Sequence, residues 1–419
     1  MPSNLLTAIV NDRTRSVNFF NGRLLTGEDL TAEQKANRVA HSLLGQAVGS
    51  GVAYGLEVSE SATLSTVASP VLSIKQGLAI NPNGGTLLLD NDTDISLVRP
   101  ASPTNGGTSV FQECLPMQSG VYIAGAGVYL LTIGPASANQ GLAEVSGVNT
   151  GAAPCNSKYK IDGVQFQLIQ IDLTLAESGD VNHIRNLVAY KCFGVTDWAA
   201  NVTDPFGTPP GGHGLIDQLR TAQTITGCEV PLAVLYWTAT GGLVFIDMWA
   251  VRRPLVSRDL LDSWAPGAGR RRATEGLAMF LQFQAQLQDL LGPSGSGPAI
   301  HANQFFRYLP PVGILPISGV GTSKGINYLS FFAGDTFRKP QFVEGARLNN
   351  LVREAFEYPP VDLNDKVMVW LYWVRENMQA INTGASAVPN AYVIFASGHV
   401  RNYGFPHFDV NRWSYSTYA

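Results

Sequence analysis

Apolar residues at helical spacing follow a short extended stretch near the start of the chain. Residues 17–20 are extended in pattern, and Asn21-Gly22 indicates a turn. Thr26 can cap a helix, with Asp29 three residues later in the position of a capping-box acid. The helix is expected to end near Gly49 or shortly after it. Its apolar positions are Leu30, Ala36, Val39, Ala40, Leu43, Leu44 and Ala47.

Short alternating segments separated by turn residues predict a small β domain after this helix. Residues 71–74, 78–80 and 87–89 have the composition of strands, and the turn-forming residues 81–85 separate the last two. Two further short strands are expected between residues 121 and 133.

The middle of the chain has segments with strand periodicity and segments with helical periodicity. Residues 164–169 alternate as a half-buried strand does, and residues 183–193 favour a helix. A hairpin is expected around residues 238–242. A second long helix is predicted over residues 270–291, with an apolar stripe that packs on its own domain and with Gln282, Gln286 and Gln288 among its polar positions.

The pattern as a whole predicts a mixed, β-rich, multi-domain α+β protein. The last segment should hold a helix over residues 344–356, strands at 367–374 and 392–396, and a β-sandwich-like arrangement. The expected divisions are 1–60 for the N-terminal arm and helix, 61–134 for a β domain, 135–265 for a mixed α+β domain, 266–300 for a helix with a Gly/Ser/Pro linker, and 301–419 for an aromatic-rich C-terminal β domain.

Composition changes the range of plausible partners. Charged residues make up only 14% of the 419 residues, against about 25% in typical globular proteins. The net charge of −4 argues against a broad attraction to nucleic acid or to an anionic membrane. The longest dense apolar run, residues 367–374, is far shorter than the ~20 residues of a membrane span. Extensive contact with neighbouring subunits would suit so few charges.

Four cysteines, widely spaced and without a C-x-x-C pair, do not indicate a zinc ribbon or a redox motif. The expectation is buried free thiols in a reducing compartment. The cysteines are Cys114, Cys155, Cys192 and Cys228.

No familiar catalytic pattern is present. The chain has no G-x-S-x-G, H-E-x-x-H, Walker A or G-x-G-x-x-G sequence, so we expect no enzyme activity, no cofactor and no metal. Residues 90–94 resemble the start of a calcium loop, but Ile95 and Ala101 replace the expected Gly and Glu, and turn capping by aspartates is favoured. Arginines 270–272 are expected to form a solvated or subunit-bridging cluster, with a phosphate site as the alternative.

Two other sets of candidate site residues have less support from their spacing. His399 and His407 lie eight residues apart with aromatic residues between them, although a lone histidine more often has a structural role. A paired-carboxylate depolymerase would need acids such as Asp362, Glu376 and Asp409 across a groove, and no spacing supports it.

Aromatic residues crowd the last fifty positions. Strand alternation places Trp370 and Tyr372 on one face and Trp373 on the other, and Trp413 follows near the end. A packed core is the favoured interpretation. These four residues are also candidates for partner contact or for a glycan-binding platform at a fibre tip, because Tyr and Trp dominate interface energetics.

Six stretches in the same order resemble proteins encoded with phage-tail-like contractile injection systems. They are residues 18–26, 51–58, 77–82, 185–194, 306–316 and 371–377. The first of these also resembles, more distantly, the opening segment of the type VI secretion baseplate adaptor.

The resemblance implies a structural subunit at the baseplate or its periphery that links tail fibres or neighbouring baseplate proteins. It implies a homotrimer, assembled in the bacterial cytoplasm as part of an injection particle. The arm would dock by strand addition and the helix by bundle packing, with Phe19, Phe20, Leu24 and Leu25 as anchors. The alternatives are an arm folded back on its own domain, a receptor- or glycan-binding module, and an enzyme.

Overall fold

The computed structural model describes most, but not all, of the chain. The described residues are 16–98, 123, 125–142, 157–173, 180–196, 213–255, 270–292, 300–316, 325–332, 341–344, 347–365, 368–375 and 391–400. Several features of the sequence analysis lie outside them, namely the linker after residue 292, Cys114, Cys155, Glu376, His407, Asp409 and Trp413.

Helices and strands both contribute substantially, which confirms the mixed α+β class. In the described residues the helices are α1 Gly27–Val48, α2 Val181–Phe193, α3 Gly214–Thr221, α4 Arg270–Leu291, α5 Ala302–Phe305, α6 Tyr328–Phe331 and α7 Leu348–Ala355. The strands are β1 Gly51–Gly55, β2 Val58–Glu60, β3 Val71–Ile74, β4 Gly77–Ile80, β5 Thr86–Leu89, β6 Thr93–Ser96, β7 Gly127–Leu142, β8 Ser157–Ile171, β9 Val230–Thr238, β10 Gly242–Asp247, β11 Tyr308–Leu309, β12 Val312–Pro316, β13 Gln341–Glu344, β14 Val361–Asp362, β15 Trp370–Arg375 and β16 Ala391–Ala396.

Two small antiparallel sheets follow α1, in the orders β1-β4-β5 and β2-β3-β6. The predicted turn between β4 and β5 is present, and in it the Asn81 N–H donates to the Gly85 carbonyl at 2.9 Å. Alternate residues such as Ala79 and Leu87 point inward and are buried. They belong to a core that also contains Leu131 of β7, so these sheets share their interior with the next unit.

The central sheet has the order β10-β9-β7-β8. β7 and β8 form a long hairpin whose pairing extends from Val128↔Ile171 to Leu142↔Ser157. β9 pairs only with the first part of β7, up to Ile133. The expected domain boundary at residue 134 therefore falls inside β7. One face of the sheet packs on α2 and α4, and the other packs on the N-terminal sheets.

The C-terminal sheet has the order β12-β16-β15-β13, with β13 parallel to β15. Leu371 and Phe395 pack with Phe283 of α4 on one face, while Ile394 packs with Leu351 of α7 on the other. In the described residues helices thus cover both faces, where a sandwich would need a second sheet. The helix expected over residues 344–356 starts later, because residues 341–344 pair with β15.

A buried hydrogen-bond network joins the central and C-terminal units. Arg185 Nε donates to Asp247 Oδ2 at 2.9 Å, and Gln282 Nε2 donates to the same oxygen at 3.1 Å. Gln282 Oε1 accepts the Tyr308 hydroxyl at 3.1 Å, and Asn186 Oδ1 accepts the Tyr308 N–H at 3.0 Å. Gln282 and Gln286 of α4 are therefore interior, because they satisfy buried donors and acceptors there, whereas Gln288 is exposed.

The two described cysteines, Cys192 and Cys228, differ in whether they form a disulfide. Cys192 is a buried free thiol, as expected. Cys228 is disulfide-bonded, so the expectation of free thiols is wrong at that position. Its partner lies outside the described residues. Disulfides persist mainly in oxidising surroundings.

Candidate functional site

Residues 16–26, here called the arm, are tied to the start of α1 by polar contacts. The Arg23 guanidinium donates to the Asn18 carbonyl at 2.8 Å and to Asp29 Oδ1 at 2.5 Å. Thr26 and Asp29 form the predicted capping box, in which each side chain accepts the other's backbone N–H. Hydrogen bonds from Thr26, followed by the contact with Arg23, hold the pKa of Asp29 below its ordinary value.

The four predicted anchor residues all lie in the arm and all face solvent. Their exposed fractions are 53% for Phe19, 63% for Phe20, 89% for Leu24 and 53% for Leu25. Such a cluster of exposed large apolar side chains is unusual on a monomer and typical of a contact surface.

α1 is attached to the protein body close to its C-terminal end. Gly45 is its only buried residue among 22. A Cβ on Gly45 would overlap the Gly84 carbonyl in the β4–β5 turn. Ser42 Oγ and Gln46 Nε2 both donate to the Asn83 carbonyl in that turn, the second at 2.9 Å.

The apolar side of α1 faces away from the body. With about 100° of rotation per residue, Leu30, Leu44 and Val48 fall within roughly 40° of one another. We call these three residues the α1 stripe; their exposed fractions are 52%, 65% and 55%. Gly45 and Ser42 lie on a different side, toward the β4–β5 turn. This arrangement is the reverse of an ordinary surface helix, whose apolar side faces its own core.

A groove of about 1190 Å³ runs between the arm and α1. Five of its lining residues are apolar, and the others are polar or charged. The apolar ones are Val17, Ala32, Ala36, Val39 and Leu43. We call the arm and α1 together the N-terminal unit. Besides the α1 stripe, this unit thus has a second surface that can receive an apolar partner.

The outer part of the β7–β8 hairpin is a third feature of this region. Beyond Ile133, β7 pairs with β8 alone among the described strands. Tyr159 and Ile161 on β8 are 56% and 44% exposed. Arg38 of α1 reaches Asp162 of β8 at 3.3 Å. Isolated two-stranded ribbons are marginally stable, so this ribbon would gain from a neighbour.

The aromatic candidates of the C-terminal unit lie elsewhere and are used in packing. Tyr372 is fully buried, and its hydroxyl accepts the Val400 N–H at 2.8 Å. Trp370 and Trp373 are partly buried and pack against the cores on opposite faces of the sheet. Trp413 lies outside the described residues. The Tyr372 ring is enclosed by described residues of the C-terminal core and offers no surface to a glycan.

Arg271, in the arginine run at the start of α4, is engaged within the chain. Arg271 bridges Asp217 of α3 at 2.5 Å and Glu275 at 3.0 Å. Burial disfavours its charge, but Glu275 and Asp217 outweigh that effect and raise the pKa of Arg271. For Arg271 the expectation of a solvated or subunit-bridging cluster is therefore wrong, because the charge fixes α3 against α4.

The candidate acid Asp362 is also engaged. It forms an ion pair with Arg307 and accepts the Tyr190 hydroxyl at 3.0 Å and the Asn364 N–H at 2.9 Å. Burial opposes ionisation, but Arg307 and the other two donors outweigh it and lower the pKa of Asp362. A carboxylate held in this way serves structure, and its supposed companions Glu376 and Asp409 lie outside the described residues.

The acidic stretch at residues 90–94 caps a turn. Asp92 contacts Lys75 Nζ at 2.6 Å and accepts the Gln76 N–H at 2.8 Å, and the bond from Lys75 is the main reason that the pKa of Asp92 is lowered. Within the described ranges no group of three or more His, Cys, Asp or Glu side chains is arranged to hold a metal.

No protein-family model matches the chain, and no curated protein is significantly similar to it. Of the helices in the described part of the chain, none combines the length and the apolar character that crossing a bilayer requires.

The sequence predicts the arm and α1, but not how α1 is held. The attachment depends on Gly45, Gly84 and Asn83, and the Asn83 N–H in turn donates to the Gly227 carbonyl at 3.1 Å. Residues this far apart leave no periodic pattern. Glycines in a helix and in a turn hint at close approach without saying what approaches.

Proposed function

We propose that this chain is a non-catalytic structural subunit of a contractile injection system or related phage-like particle. It sits at the baseplate or its periphery and links tail fibres or neighbouring baseplate proteins. The resemblance of the six sequence stretches supports the class of particle. The exposed arm and the α1 stripe supply the docking surface.

The orientation of α1 is the observation that carries this proposal. Leu30, Leu44 and Val48 face solvent, while the one buried residue of the helix, Gly45, faces the body. Full burial of a Leu or Val side chain contributes about 1.5–3 kcal/mol. In the single chain α1 does not gain this burial free energy. It would gain it by packing the α1 stripe against another component.

The resemblance also supports a homotrimer assembled in the bacterial cytoplasm. Cytosolic thiols are kept reduced. On this proposal Cys228 is therefore reduced during assembly, and its disulfide forms in particles that have reached an oxidising environment.

Particle composition tests the proposal. Particles purified from the source cells by sedimentation are digested and analysed by mass spectrometry. We expect this chain together with sheath, tube and spike proteins in constant ratio. A chain that sediments only as free protein, with sheath and tube in other fractions, contradicts the proposed function.

A variant then tests the α1 stripe. Leu44→Glu combined with Val48→Glu should remove the chain from particles, because two charges replace the apolar contact. The control is Leu64→Glu combined with Val67→Glu, at loop positions with similar exposure of 55% and 49%. If the stripe variant and the control are incorporated equally, α1 is not the docking element.

A further inference from the structure

The N-terminal unit carries an exposed apolar projection and an open groove whose lining has five apolar residues among ten polar or charged ones. The projection is the part of the arm that bears Phe19, Phe20, Leu24 and Leu25, all more than half exposed. The groove is the one between the arm and α1, with Ala36 of the helix among its apolar lining residues. The projection has exposed apolar side chains, and the groove has open space beside apolar residues.

The arm does not fill the groove of its own chain. Ser16, Val17 and Asn18 already form part of the groove wall, and Val17 N–H donates to Glu33 Oε2 of α1 at 3.1 Å. Neither Phe19 nor Phe20 is a lining residue. The hydrogen bond from Arg23 to the Asn18 carbonyl closes the arm into a bend that keeps the two rings outside.

The area available on the projection suits a weak contact between subunits. An aromatic side chain buries about 150–250 Å² when fully covered. The exposed parts of Phe19 and Phe20, with the two leucines, therefore offer roughly 400–500 Å² on one side. The groove wall is smaller than this, so both sides together give roughly 700–800 Å², in the range of weak or transient contacts.

From these features we propose that the groove between arm and α1 receives the Phe19–Phe20 projection of a second copy of the same chain. This inference rests on the proposed function, since it names a partner of the same docking unit. The occupant is the neighbouring subunit's arm, and the α1 stripe remains free for other components.

The contact is heterologous, because one copy contributes its projection and the next contributes its groove. Heterologous contacts of one kind generate a closed ring when the rotation between copies closes, and a filament when it does not. A closed ring of three copies agrees with the proposed homotrimer.

Two variants separate the halves of the contact. Phe19→Ser with Phe20→Ser removes the projection and leaves the groove intact. Val39→Glu with Leu43→Glu places charges in the groove and leaves the projection intact. Controls are Leu64→Ser with Val67→Ser on an exposed loop, and Leu30→Glu on α1 outside the groove lining.

Native mass spectrometry of the full-length chain, without other particle proteins, reads out self-association. Wild type and both controls should form the same oligomer. Each contact variant should be monomeric, with an association constant at least ~30-fold lower, as expected for loss of an interface hot spot. Matching circular dichroism spectra and melting temperatures show that the variants fold; if either double variant unfolds, Phe20→Ser or Leu43→Glu alone replaces it.

Mixing the two contact variants is the decisive step. One groove and one projection remain intact in the mixture, so a dimer of twice 44.9 kDa should form and no larger species should appear. A mixture that stays monomeric overturns the proposal, and so does an oligomer that both variants leave unchanged. A monomeric wild-type chain that is still found in particles overturns this inference alone, whereas an oligomeric chain absent from particles overturns the proposed function alone.

Discussion

The contact between Gly45 and Gly84 leaves no room for a side chain on either residue. A Cβ on Gly45 meets the Gly84 carbonyl, and a Cβ on Gly84 meets the Ser42 carbonyl. Gly84 also has a φ of +83°, in the region that favours glycine. The attachment of α1 to the body thus depends on a close approach of backbone to backbone, together with the hydrogen bonds from Ser42 and Gln46 to the Asn83 carbonyl.

Gly45→Ala should loosen α1 from the body. Because the obstructing atom belongs to the backbone, the helix has to shift, and we expect a loss of about 1–3 kcal/mol in the free energy of unfolding. Gly27→Ala is the matched control, since nothing lies within 4 Å of a Cβ there. Hydrogen exchange of α1 should rise in the first variant only; equal exchange in both would place the attachment elsewhere.

The buried Asp247 should matter far more than the exposed Asp289, although both bind Arg185. Asp247 accepts from Arg185 and Gln282 and from the Ala250 N–H at 3.1 Å, so an amide would set a donor against a donor. Asp247→Asn should cost on the order of 3 kcal/mol, and Asp289→Asn less than about 1 kcal/mol. Chemical denaturation measures both, and similar losses would contradict the network.

Cysteine alkylation distinguishes the two described cysteines. Burial raises the pKa of the Cys192 thiol to about 12, so it should resist iodoacetamide in the native protein at pH 8. In denaturant without reductant Cys192 should be alkylated and Cys228 should not. Peptide mass mapping reads this out, and alkylation of Cys228 before reduction would show that it is a free thiol.

Among the elements, β11 and β14 form the small sheet where Arg307 meets Asp362. This pairing lies beside α2, whose Tyr190 donates to the same carboxylate. The junction between the central and C-terminal units therefore includes the Asp362 carboxylate, whose negative charge is needed for the ion pair with Arg307.

Acid should weaken this junction. The pKa of Asp362 is lowered in the folded state, so its contribution is complete above the unfolded pKa of about 3.9 and is lost as pH falls through the folded value. Asp362→Asn should flatten the pH dependence of the unfolding free energy below about pH 4. Tyr190→Phe should have an intermediate effect. An unchanged slope in Asp362→Asn would show that the carboxylate is not stabilised by folding.

Elements defined by neighbouring residues were predictable from the sequence. The capping pair Thr26 and Asp29 set the start of α1, and the turns at 81–85 and 238–242 set two hairpins. The strand at 341–344 was missed because its pairing with β15 joins distant residues, and the predicted helix overlapped it only at residue 344. The buried state of Gln282 was missed because its partners lie on other elements.

At the scale of the whole molecule, shared cores and a hydrogen-bond network join the central and C-terminal units. The arm and α1, in contrast, are attached at few points. α4 contributes to the cores of both the central and the C-terminal unit, and the central sheet shares a core with the N-terminal sheets. The arm and α1 expose most of their large apolar residues. The docking surface could be predicted from the arm's composition, whereas the outward orientation of α1 required the position of Gly45.

Footprinting of α1 and the arm in two states tests the central claim most directly. Hydroxyl-radical labelling of Phe19, Phe20, Leu44 and Val48 is compared between the isolated chain at low concentration and the purified particle. We predict strong labelling in the isolated chain and protection in the particle, with Leu64 and Val67 labelled equally in both. Equal labelling of the arm and α1 in both states would contradict the claim that this unit docks the chain to its neighbours.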